Sequence, residues 1–182
     1  PHLGEGWLQR VSARLHKKPS FEIQMDTVFC LSVYYLWKGE YDKNAVLLEQ
    51  AAAEIMQRKP SPFAVIRIKL MKGIHAWITA EYETAVQLLN EGLAISAQSG
   101  VHLYDSLLYG FKAAAEMAPG AMEQAEKTLQ CQMASLAGMK TALTTFFYHI
   151  NAAWYALLTN NVSRAAGHLE TISATTESMG AP

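Results

Sequence analysis

One stretch of this chain is written twice, and that constrains its fold more than anything else in the sequence. Around Gly39-Glu40-Tyr41-Asp42 the chain reads as a helix end, a tight turn and an amphipathic second helix running to about Ile55. The pattern returns from Ile78 to Ile95: Tyr41 is matched by Tyr82, Leu47 and Leu48 by Leu88 and Leu89, and Ala51 by Gly92, a step of roughly 41 residues. A period in the range of about 20 to 50 residues marks a stacked repeat. One such unit cannot bury its own apolar face, so neighbouring units must cover it.

The same grammar divides the rest of the chain. Trp7, Leu8, Val11 and Leu15 fall at helical spacing in an opening segment, Gly4 to Lys17, with Arg10, Arg14 and Lys17 mostly on the other side. Residues 1–18 are therefore expected to be the second helix of a truncated repeat. Pro19-Ser20 is the break, and four helix-pair units follow at 19–60, 61–100, 101–138 and 139–180. Their inner turns are placed at Gly39, Ala80, Pro119-Gly120 and Asn160-Asn161. Stops between units are placed at Pro60-Ser61-Pro62, Gly100, Gly138 and Gly180. Ala85, Ala125 and Ala165 recur at a step of 40, where a small residue lets two helices cross closely. No segment alternates as a strand does. The expected architecture is all-α: about nine helices in antiparallel pairs, with a period of about 40 residues, stacked as a right-handed α-solenoid of 182 residues.

Composition narrows the function classes. Apolar residues are 51% of the chain and charged residues 17%, enough for a buried core and too apolar for disorder. The formal net charge of -1 argues against a nucleic-acid surface, and no apolar run reaches the ~20 residues that span a bilayer. Charge is uneven: residues 1–72 carry 11 Lys/Arg against 7 Asp/Glu, and residues 73–182 carry 4 against 9. Cys30 and Cys131 lie in different units and read as buried free thiols, consistent with a reducing cytoplasm. The start at Pro1 and the ending Met179-Gly180-Ala181-Pro182 suggest a fragment of a longer protein, whose uncovered ends would favour self-association.

At Gly39-Glu40-Tyr41-Asp42 and Ala80-Glu81-Tyr82-Glu83-Thr84-Ala85 the chain resembles tetratricopeptide-type repeats. Ser32 and Gly73 match that family's small residue in the first helix, and Ala51 and Gly92 one in the second. Asn44 departs from the pattern by standing where alanine is usual, and the period of about 40 exceeds the family's ~34. Long, drifting units of this kind look like the superhelical sensor region of maltose-regulator-type bacterial transcription activators, which join a P-loop ATPase, a helical-repeat sensor and a DNA-binding domain. The resemblance implies signal sensing in transcription regulation. The partners it implies are the other domains of a parent chain and a small-molecule inducer or a regulatory protein, without direct nucleic-acid contact by this segment. A general protein–protein scaffold or chaperone-type adaptor, holding a peptide or helix in an apolar groove, is the other expectation.

Catalytic signatures are sparse. The sequence has no GxxxxGK[ST] and no HExxH, and its six histidines are scattered over different helices. Neither an enzyme, a cofactor nor a metal site is expected. What the repeat register does suggest is a groove lined by first helices, with Phe29, Val33, Leu36 and Trp37, then Leu70, Ile74, Trp77 and Ile78 facing it. Beside these run Tyr34, His75, Ala115 and Tyr155, a column whose rings carry polar tips. Tyr34, Trp37, His75, Trp77 and Tyr155 are the candidate ligand or partner residues; Phe29, Leu70 and Ile74 read as core. Arg67, Lys69 and Lys72 read as a solvated basic face.

Overall fold

In a computed structural model, eight helices follow one another among the described residues: α1 (Phe21–Lys38), α2 (Tyr41–Gln57), α3 (Pro62–Ile78), α4 (Tyr82–Ser99), α5 (Asp105–Met117), α6 (Met122–Ser135), α7 (Ala142–Leu158) and α8 (Val162–Ser178). The structure describes Gly6 and residues 21–57, 60–138 and 141–178. Apart from Gly6, the expected opening helix at Gly4 to Lys17 lies outside the described residues, as does the stop at Gly180. Among the described residues there is no strand, and no helix is long and apolar enough to cross a membrane.

The repeat is visible in the backbone itself. At the end of each first helix, one residue takes the left-handed conformation: Gly39 (φ 71°), Ala80 (φ 64°), Gly120 (φ 90°) and Asn160 (φ 57°). Each turn closes with the same two bonds. The amide of the left-handed residue donates to the carbonyl three back, as Gly39 to Leu36 at 3.2 Å and Asn160 to Leu157 at 3.0 Å. The following amide reaches five back, Glu40 to Tyr35, Glu81 to Ala76, Ala121 to Glu116 and Asn161 to Ala156, at 2.7 to 2.9 Å. This pairing is the Schellman closure, which satisfies carbonyls that a helix end otherwise leaves bare.

Between units the solutions differ. Gly100 ends α4 in the left-handed conformation (φ 73°). Ser61 caps α3, its hydroxyl accepting from the Ala64 amide, with Pro62 in the first turn where a missing N–H costs nothing. Thr141 and Thr144 form a reciprocal capping box at the start of α7. Helix α5 starts at Asp105, where the His102 ring and Ser96 hydroxyl both bond to the Asp105 carboxylate and hold the entry in a turn.

Consecutive helices pack against each other, and the first helices of successive pairs also touch, α1 with α3, α3 with α5 and α5 with α7. Among the described residues the second helices α2, α4, α6 and α8 make no such contact with one another. One layer is therefore continuous and the other is open between its members. The core follows from close approach. Gly73 of α3 admits Leu89 of α4, and Gly92 of α4 admits Leu108 of α5, with Leu89 and Leu108 both fully buried.

Two expectations are corrected. Cys30 and Cys131 are exposed, on the outer sides of α1 and α6, instead of buried. The basic face of α3 is not simply solvated: Arg67 bonds Asp26 of α1 at 2.5 Å, Lys72 bonds Glu49 of α2 at 2.6 Å, and Lys69 bonds Glu91 of α4 at 2.5 Å. Three lysine and arginine side chains thus tie α3 to three different helices. Trp37, expected to face the groove, is 91% exposed in the last turn of α1.

Candidate functional site

Where three first helices meet, their side chains leave a cavity of about 110 Å³. Two helical stripes make most of it. On α5 the wall residues are Leu107, Gly110, Phe111 and Ala114, and on α7 they are Phe147, Ile150, Asn151 and Trp154. Both follow the spacing i, i+3, i+4, i+7, which puts four side chains on one face of a helix. Trp77 at the end of α3 completes the enclosure. The rings touch in series: Trp77 to Phe111 at 5.7 Å between centroids, and Phe111 to Phe147 at 5.9 Å. Such tilted pairs contribute about 0.5–1.5 kcal/mol each beyond their burial, so the rings hold their positions without a ligand.

The polar element of the cavity is Asn151, 7% exposed, whose Nδ2 donates to the Gly110 carbonyl at 3.0 Å. Gly110 is the reason this approach exists. A Cβ at 110 would lie 2.6 Å from Gln132 Nε2 and 3.0 Å from Asn151 Nδ2. Gln132, reaching in from α6, is fully buried, and neither of its amide atoms has a hydrogen-bond partner. Two amides therefore crowd one bare α-carbon beneath an aromatic cage. The arrangement suits binding: flat apolar faces, an amide, and no nucleophile paired with a base. Among the described residues, no group of three or more His, Cys, Asp or Glu side chains could hold a metal ion.

Of the candidate residues, Trp77 alone lines this cavity. Tyr34 is half-buried on α1, its ring 5.9 Å from that of Tyr35 and 6.0 Å from the Lys38 ammonium. His75 is a strut between α2 and α3, since its Nδ1 accepts from Asn44 Nδ2 at 3.0 Å. That bond explains the departure at Asn44, which is fully buried where the repeat family uses alanine. Tyr155 is buried in the cluster of Met117, Ala125 and Leu129. Burial pushes its phenol above the usual range, and the neighbouring Glu126 carboxylate pushes it further. Ala115, the third member of the expected column, is fully buried core.

Phe111, Phe147, Asn151 and Trp154 were not in the expected column. For Phe147, Asn151 and Trp154 the signal was present as the i, i+3, i+4, i+7 stripe of α7, which combines two aromatic residues with an asparagine, and for Phe111 as the same spacing on α5. Gln132 carried a signal as well. It stands 40 residues after Gly92, which itself follows Ala51 by 41, in a register otherwise held by small side chains. No family model matches the sequence, and none of the curated proteins searched matches it.

Proposed function

We propose that this chain is a non-catalytic sensing segment of a bacterial cytoplasmic transcription regulator, its helix pairs forming a right-handed tetratricopeptide-like superhelix that binds a small inducer or a regulatory protein. The observation that carries the reading is the aromatic cavity shared by α3, α5 and α7. A molecule seated there touches three successive units at once. Its binding favours whichever arrangement of those units closes best around it, and that differential affinity is what moves a regulator between states. An apolar cavity of about 150 Å³ takes one benzene ring, so the smaller 110 Å³ suits a short alkyl group or the inner part of a ring as the anchoring part of a larger molecule.

Thermal-shift screening of aromatic and sugar metabolites tests this on wild type and on Phe147→Ala. Compounds that raise the melting temperature of wild type and leave Phe147→Ala unmoved support the sensor. A panel in which every shift is the same for both proteins contradicts it.

The scaffold reading has one observation of its own, the exposed indole of Trp37 with Val33 one turn before it, 36% exposed. Trp37→Ala then abolishes capture of a protein partner and leaves small-molecule shifts intact; unchanged capture removes that reading.

A further inference from the structure

The floor of the aromatic cavity differs from its walls. Gly110 and Asn151 are buried members of its lining, while the rings of Trp77, Phe111, Phe147 and Trp154 are half-buried around them. Among the described residues that line it, none is charged, and Asn151 is the one side chain able to accept a hydrogen bond.

Chemistry fixes which way the Asn151 carboxamide points. The Gly110 carbonyl can only accept, so the atom 3.0 Å from it is Nδ2, and the opposite assignment would set two oxygens against each other. Oδ1 is then the free end. Among the described residues it has no hydrogen-bond partner, and unlike both amide atoms of Gln132 it is not sealed from solvent. An apolar group pressed onto this floor covers a bare acceptor and strips it of water, whereas a donor placed there takes over the water's role.

We propose that this floor selects a hydroxylated aromatic ring, a phenol-type ligand whose O–H donates to Asn151 Oδ1 while its ring packs among Trp77, Phe111 and Phe147. The inference rests on the sensing function proposed above and names the ligand class for the same cavity. Other classes meet the lining badly. A carboxylate finds no cation there and would face the Asn151 oxygen, and a sugar brings several hydroxyls to one acceptor. A plain hydrocarbon leaves that acceptor unpaired. The cavity of about 110 Å³ takes the hydroxyl-bearing side of the ring, with the remainder of a larger molecule outside it.

Isothermal titration calorimetry of the 182-residue chain with phenol, toluene and glucose tests it. Toluene has nearly the shape of phenol and is the more apolar, so it binds better wherever the hydroxyl finds no partner. In the wild type phenol is expected to bind at least as tightly as toluene, and glucose not to bind. In Asn151→Leu the order is expected to reverse, the ratio of the two affinities changing by about tenfold or more. The wild-type comparison needs no variant, so it holds even if Asn151→Leu folds poorly. Toluene binding more tightly than phenol in the wild type, or glucose binding more tightly than either, overturns the choice of ligand and leaves the cavity standing as a sensor site. An unchanged ratio in a folded Asn151→Leu overturns the role of Asn151. Binding of none of the three removes the sensing reading and this inference with it.

Discussion

Placing a methyl group on Gly73 probes a close helix crossing in the repeat. A Cβ there would lie 2.7 Å from Leu89 Cγ and 2.8 Å from Cδ2, and Leu89 is fully buried. The clash falls on the branch point of the leucine, so rotation of a chain end does not relieve it. Overpacking of this kind costs about 1–3 kcal/mol. Alanine returns about 1 kcal/mol through its better helix propensity. Gly73→Ala is therefore expected to destabilise by up to about 2 kcal/mol, the clash outweighing the propensity. Leu89→Ala alone is expected to cost about 2–5 kcal/mol through the space it leaves. In the Leu89→Ala background the clash is gone, the new methyl enters that space, and the propensity gain remains. Gly73→Ala should then stabilise by about 1 kcal/mol, giving a coupling of roughly 1–3 kcal/mol where independent sites show about 0.3–0.5. Urea denaturation of the four proteins, followed by circular dichroism at 222 nm, measures the cycle. The same sign for Gly73→Ala in both backgrounds, or coupling under about 0.5 kcal/mol, refutes the packing argument.

Other residues make separate tests. Ala80 holds the left-handed turn that glycine holds at 39 and 120. That conformation costs a non-glycine residue about 1–2 kcal/mol, and glycine's greater freedom in the unfolded chain returns part of it. Ala80→Gly is expected to stabilise by about 0.5–1 kcal/mol, and a lower denaturation midpoint would show the turn is unstrained. Gln132→Leu removes a buried amide with no partner and should stabilise by about 1–3 kcal/mol; loss of stability would mean the amide is satisfied in solution. His168 Nδ1 lies 2.9 Å from His149 Nδ1 across the α7–α8 pair. Burial, and then the positive charge of Arg164, hold the His168 pKa below its ordinary value of 6.5. The folded state thus binds protons less readily than the unfolded chain. This contribution is complete above pH 6.5 and is lost as pH falls from there through the depressed folded pKa. His168→Ala should flatten the acid limb of the stability profile in that window, and an unchanged profile would count against the assignment.

The turns were the legible part of the fold. Gly39, Pro119-Gly120 and Asn160-Asn161 announce themselves by residue type, and Ala80 by its register before Tyr82. Packing partners far apart in sequence were not legible. Asn44 looked like a defect in the repeat because its partner, His75, lies 31 residues away. The basic face of α3 looked solvated because its acids, Asp26, Glu49 and Glu91, sit on three other helices. The binding column failed for a geometric reason. Carrying Tyr34 forward by about 40 residues per unit selects equivalent positions, ending at the buried Tyr155. The rings that meet run from Trp77 to Phe111 and Phe147, steps of 34 and 36. The contacts fall about one to two helical turns short of the repeat period. Neighbouring first helices therefore touch along a diagonal, and a sequence period by itself does not contain that offset.

The aromatic cavity is the centre of the functional account, and the side-chain N–H signals of Trp77 and Trp154 report on it directly. We would titrate phenol, a single ring with one hydroxyl to meet Asn151, into ¹⁵N-labelled protein. The Trp77 and Trp154 indole signals are expected to shift together and to saturate, while that of Trp37, exposed on α1, stays in place. Shifts at Trp37 with none at Trp77 and Trp154 would contradict the cavity as the binding site.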